Sequence, residues 1–194
     1  MKTLLITFFS IFIITPILSQ DSLYIIDAEY GKLRNLTLLS QDYQNARKKR
    51  DGLKTLKGKS IYQKEIVRLT HYFAIDLTVK EETYTKEGKL ILGKEYGNLA
   101  WYYLFEEEFA KATEAAIKGL ELAPSQTWIK TNLGHSYLLS GNYKKAKKVY
   151  EEFKELKQED GRIFKEIILE DLKILEEEGI EIPKKEKIRK YLKK

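Results

Sequence analysis

The chain has no cysteine in its 194 residues, only three prolines, two histidines and one methionine. Without cysteine there is no disulfide, no thiolate metal ligand and no thiol nucleophile, so the fold must be held by packing in whatever compartment it occupies. The two histidines, His71 and His135, are 64 residues apart and leave no pair at helical spacing for a metal. Eleven glycines and three prolines exclude collagen-like and low-complexity classes. A phosphate-cradling glycine loop and a Gly-x-Ser-x-Gly elbow are both missing. Carboxylates are plentiful, but the runs Glu106–Glu108 and Glu176–Glu178 read as helix-end charge. Acid–base catalysis needs two carboxyls held apart in different solvation. These absences predict a non-enzymatic protein with no cofactor and no metal.

What is present is enough apolar material to fold: 43% hydrophobic and 12% aromatic residues argue against wholesale disorder. At the N-terminus Lys2 precedes an apolar run from Leu4 to Leu18, broken by Thr7, Ser10, Thr15 and Pro16. That run is shorter than the roughly 20 apolar residues of a spanning helix. Residues 1–19 are therefore expected to be a cleaved export signal, with Ser19 at the cut and a periplasmic or secreted product. The part that follows is long enough for one sizeable domain.

A period of 34 residues runs through the middle of the chain. Leu99 aligns with Leu133, Ala100 with Gly134, Tyr103 with Tyr137, Phe109 with Tyr143 and Ala112 with Ala146. Positions 96, 99, 100 and 103, and again 130, 133, 134 and 137, follow the i, i+3, i+4, i+7 rule of a helix with one packed stripe. The small residues Ala100, Ala112, Gly134 and Ala146 would let paired helices approach closely. Ser140-Gly141-Asn142 reads as a glycine stop followed by a polar helix start, whereas Glu106-Glu107-Glu108 stands at the same place one period earlier without a glycine. Pro124 closes the first unit, and Ser125 or Thr127 is the expected cap of the next helix.

Tyr96-x-x-Leu99-Ala100-x-x-Tyr103 with Ala112 and Pro124, and Leu133-Gly134-x-x-Tyr137 with Ala146 and Tyr150, resemble the tetratricopeptide repeat family, in the setting of an exported bacterial protein. The resemblance covers two units over residues 93–160. It implies an all-α solenoid of stacked helical hairpins that acts as a protein–protein interaction scaffold. It also implies a concave groove on the first helix of each unit, where an extended peptide would lie. Carried over by position, that groove consists of Lys94, Gly97, Trp101 and Phe105, then Trp128, Thr131 and His135. Gly97 and Trp101 stand where the lysine–asparagine clamp of chaperone-binding members would need other residues, which disfavours a chaperone-tail role.

Outside the two units the pattern weakens. Residues 20–92 are expected to be helical, as degenerate repeats, with one helix over 60–75 burying Ile61, Ile66, Leu69 and Phe73 and another over 76–92 weakened by Gly88. Two units alone do not bury a continuous core, so these helices should pack on them. Residues 161–194 are expected to form a capping helix and a basic tail. Phe164, Ile167, Ile168, Leu172 and Leu175 make its stripe and Gly179 its stop. Asp171 and Glu177 occupy places where a further repeat would have aromatics.

The net charge of +6 is uneven, with 13 Lys/Arg against 8 Asp/Glu over 41–95, 12 against 17 over 96–183, and 7 against 1 over 184–194. Arg47-Lys48-Lys49-Arg50 with Lys54, Lys57 and Lys59 is the densest positive cluster, expected on an amphipathic helix with Leu53 and Leu56. The tail from Lys184, with Ile188, Tyr191 and Leu192 on one side, could rest on an anionic surface. The alternative function is accordingly a binder of membrane lipid, polysaccharide or nucleic acid through the basic flanks.

Overall fold

The computed structural model describes residues 24–27, 32–76, 83–158 and 161–193. The expected export signal at 1–19 lies outside the described residues. Two short antiparallel ribbons and eight helices follow one another among the described residues: β1 (Tyr24–Asp27), β2 (Lys32–Asn35), α1 (Leu36–Gly52), α2 (Lys59–Ala74), β3 (Ile75–Asp76), β4 (Thr83–Tyr84), α3 (Lys86–Phe105), α4 (Phe109–Leu122), α5 (Trp128–Leu139), α6 (Tyr143–Glu151), α7 (Phe164–Glu177) and α8 (Lys185–Leu192). β1 pairs with β2, with Tyr24 opposite Asn35, and β3 with β4, with Ile75 opposite Tyr84. The helices make four consecutive hairpins, and α5 packs on both α3 and α4, as successive layers of a helical solenoid do.

The repeat positions are where packing needs them. Leu99, Ala100 and Tyr103 of α3, Ala112 of α4 and Ala146 of α6 are buried, Gly134 of α5 is buried, and Leu133 and Tyr137 pack half-buried against the same core. Gly134 has a steric reason to be glycine. A Cβ there would lie 2.2 Å from Cε1 of the Tyr150 ring, so the ring of α6 sits directly on the backbone of α5. Gly141, with φ +81°, stops α5, and the Asn142 side chain accepts from the amide of Lys145 to start α6. In the glycine-free turn Glu107 itself takes φ +57°, and the Ser60 hydroxyl donates to Glu106 at 2.7 Å, tying that turn to α2. Thr127 precedes α5 but its side chain makes no capping hydrogen bond.

Upstream, four sequence expectations are corrected. The segment 76–92 is not a helix of its own: the chain passes through β3 and β4, and α3 begins at Lys86 as one 20-residue helix. Gly88 is required rather than a weakness, because a Cβ there would lie 2.5 Å from the Ala74 carbonyl, where the end of α2 crosses the start of α3. Thr85 fixes that crossing, donating its amide to the same carbonyl at 3.0 Å and accepting from Gly88 N at 2.9 Å. Within α2, Ile66 and Leu69 are buried but Ile61 is exposed, and the Phe73 side chain lies outside the described residues. Leu53 and Leu56 sit in the α1–α2 connection, past the end of α1.

Downstream, α7 buries Phe164, Ile168, Leu172 and Leu175 and stops at Gly179, φ +86°. α8 then folds back with Ile188 and Leu192 fully buried. Ile188 and Leu192 of the basic tail are therefore packed on the protein's own core.

Candidate functional site

The expected groove residues lie on α3 and α5. Lys94, Gly97 and Trp101 share one face of α3, and the Asn132 side chain of α5 donates to the Gly97 carbonyl at 3.0 Å. A Cβ on Gly97 would lie 2.6 Å from Cη2 of Trp128, so the indole of α5 lies against the backbone of α3. Trp128 donates its ring N–H to the Gln126 side chain at 3.1 Å. Trp101 stacks edge-on against Phe105 with centroids 4.8 Å apart. Both indoles are half-buried and Lys94 is exposed.

The other three candidates are inside. Phe105 is 2% exposed, Thr131 is 3% exposed with its hydroxyl donating to the Trp128 carbonyl, and His135 is 0% exposed. His135 therefore does not line an open groove beside Trp101, although their rings are only 6.3 Å apart. It is held from both sides: the Tyr150 hydroxyl of α6 lies 2.8 Å from Nδ1, and the Asp171 carboxylate of α7 lies 3.2 Å from Nε2. A neutral imidazole carrying its proton on Nε2 satisfies both contacts, with the phenol donating to Nδ1. Burial, then the Asp171 charge, pushes the Tyr150 phenol well above its ordinary value, which keeps it a donor. Asp171 thus breaks the aromatic pattern of the repeat for a reason the sequence shows only as a departure: its carboxylate completes the polar contact of a buried histidine one layer away.

A second buried network joins the first three helices. Arg50 donates to the Gln63 side-chain oxygen at 2.6 Å, and Gln63 donates to the backbone carbonyl and carboxylate of Glu95 at 3.0 and 2.8 Å. Tyr43 also donates to Glu95, at 3.1 Å. Arg50 is only 8% exposed, so the basic cluster of α1 presents Arg47, Lys48 and Lys49 without it. Among the described residues no group of histidine and carboxylate side chains could hold a metal ion, and no helix is long and apolar enough to cross a membrane.

With hairpins, layer contacts and the glycine-on-ring approach in place, a family comparison bears on the α5–α6 layer. Residues 129–160, which span α5 and α6, match the tetratricopeptide repeat model. That match supports a tetratricopeptide repeat at α5 and α6. Comparison with curated proteins and with solved structures gives no match. Tetratricopeptide repeats in general serve protein–protein interaction, which supports an unspecified protein partner. The matched unit is the one that keeps Gly141 in its turn, while the unit before it replaces the turn glycine by Glu106–Glu108.

Proposed function

We propose that this tetratricopeptide repeat protein is an exported, non-enzymatic scaffold that binds an extended polypeptide segment along α3 and α5. The observation that supports the reading is the pair of half-buried indoles, Trp101 and Trp128, on adjacent first helices, with exposed Lys94 on the same face of α3. Amphipathic rings already fixed by neighbours bind at low entropic cost, and indoles are favoured anchors in interfaces. Lys94 would meet a carboxylate of the segment. Buried His135, Phe105 and Thr131 act as the floor that fixes the indoles rather than as contacts. Export is supported by Lys2 and the apolar run to Leu18.

Photo-crosslinking in cells tests the surface. With a benzophenone side chain at position 94 or 101, an attached polypeptide is expected, and the same probe at Lys118 on α4 should capture none. Attachment at 118 but not at 94 or 101 rejects this face. Sequencing the mature N-terminus tests export, with Gln20 expected first; a product starting at Met1 or Lys2 rejects a cleaved signal.

A further inference from the structure

A concentration of basic charge with few acids lies where α6 meets α8. Residues 143–154 carry five lysines against two glutamates, and residues 184–193 six basic residues against one glutamate. Two tyrosines knit these segments together. Lys184 and Lys187 of the tail place their ammonium groups 5.7 and 4.7 Å from the ring centre of Tyr143 on α6. Reciprocally, Lys147 and Lys154 lie 5.0 and 4.7 Å from the ring centre of Tyr191 on α8. Each ring therefore holds two cations, and the Tyr191 hydroxyl donates to Glu151.

Of the acids nearby, three are already engaged, and Glu186 of α8 remains exposed. Glu176 pairs with Lys185 and Arg189, and Lys154 has Glu151 and Glu155. Lys147, Lys184 and Lys187 make no ion pair with any described residue, and all three are exposed. Cation–π contact holds the lysine stems in place but does not neutralise them. Two ammonium groups gathered on one ring repel each other, and an anion between them relieves that repulsion.

We propose that this α6–α8 surface is a second docking site, separate from the indole face, and that it takes an acidic polypeptide segment rich in glutamate or aspartate. Charge complementarity selects an anion, and three features select the polypeptide. A membrane would need apolar side chains to insert, and Ile188 and Leu192 of α8 are fully buried. Single-stranded nucleic acid would need free rings for base stacking, and both Tyr143 and Tyr191 have lysines over them. The cations left unpaired, Lys147, Lys184 and Lys187, are ammoniums, and the one guanidinium of the tail, Arg189, is held by Glu176 and not free for bidentate phosphate recognition. The proposal shares with the reading above only that the partner is a polypeptide, and it uses different residues.

The test is fluorescence anisotropy of the full mature chain with a short labelled glutamate-rich peptide, at about 50 mM and about 300 mM salt, where screening differs strongly. The double variant K147E/K187E should lose roughly tenfold or more in affinity at low salt, a change of 1.4 kcal/mol. K48E/K49E, which makes the same charge change on α1, should lose less than about threefold. The crosslinks at positions 94 and 101 read the indole face independently of this anisotropy, so failure here and failure of the indole face are separable. Equal losses in the two double variants would show attraction to net charge alone and overturn the site. Tighter binding of phosphatidylglycerol vesicles or of duplex DNA than of the peptide would overturn the choice of occupant. Lys184 provides a variant that does not depend on charge reversal. It sits at φ +55°, a left-handed conformation that glycine adopts without penalty. K184G should melt no lower than the parent yet bind the peptide about threefold more weakly; unchanged binding removes Lys184 from the site.

Discussion

Tyr150 shows how one side chain can set several properties of the chain at once. Its ring forces glycine at position 134, its hydroxyl lies on His135, and it packs edge-on against Phe153 with centroids 6.4 Å apart. Gly134→Ala gains about 1 kcal/mol of helix propensity but drives a methyl into a ring that has no room to yield. A net loss of about 1–3 kcal/mol is expected by denaturant unfolding; a stabilised variant would mean that the ring can move. Tyr150→Phe tests the hydroxyl. Near neutral pH it should cost about 1–3 kcal/mol, because His135 Nδ1 loses its donor in a dry site. The pH dependence then follows from the direction of the shift. The folded phenol titrates far above its unfolded value of 10.0. Its contribution is thus fully present below pH 10 and falls as the pH rises past that value, since only the unfolded chain releases the proton. Phenylalanine has no such dependence. The gap between parent and variant should therefore narrow by up to about 1.4 kcal/mol per pH unit above 10, measured by unfolding curves at several alkaline pH values; a constant gap would show that Tyr150 ionises in the folded state.

At the level of elements, the solenoid is joined differently at its two ends. α5 and α6 meet through small residues and a ring, whereas α1, α2 and α3 are joined by Arg50, Gln63 and Glu95, all buried. Gln63 is the bridge, accepting from the guanidinium and donating to the carboxylate. Gln63→Leu is expected to cost about 3 kcal/mol, as removal of one member of a buried charged network does. Hydrogen exchange should show the loss first in α1, residues 36–52, while α5 and α6 keep their protection; uniform loss along the chain would mean that all layers unfold as one.

The same contrast explains what the sequence made readable. Spacing was enough for α3 to α6, because Leu99, Ala100, Gly134 and Ala146 repeat with the period of the packing itself. It was enough for α7 too, where Phe164, Ile168, Leu172 and Leu175 form a stripe ended by Gly179. It failed at Gly88, whose purpose is a crossing with Ala74 that no local pattern encodes. It also did not show that His135 is enclosed. His135 occupies a position that the family resemblance puts at a ligand, but Tyr150 and Asp171 enclose it, and Asp171 comes from a helix outside the matched repeat. Trp101 and Trp128 stayed at the surface because Gly97 and Phe105 give them backing without covering them.

Across the described residues, the α7–α8 hairpin covers the layer before it. Phe164 of α7 packs edge-on against Phe153 at 5.2 Å, and Asp171 supplies the outer partner of His135. A chain ending at Gln158 would leave Phe153 open to water and His135 Nε2 without its acceptor. A repeat array needs a polar outer face on its last layer, and an uncovered apolar layer offers a surface for a second copy. The chain ending at Gln158 should accordingly melt at lower temperature and shift toward dimers or larger species as its concentration rises, measured by light scattering coupled to gel filtration. Adding Phe153→Lys to the same truncation should restore the monomer without restoring the melting temperature, because it makes the exposed layer polar but returns no packing. A truncated chain that is monomeric at all concentrations and melts like the parent would make α7 and α8 an appendage, and the core would then end at α6.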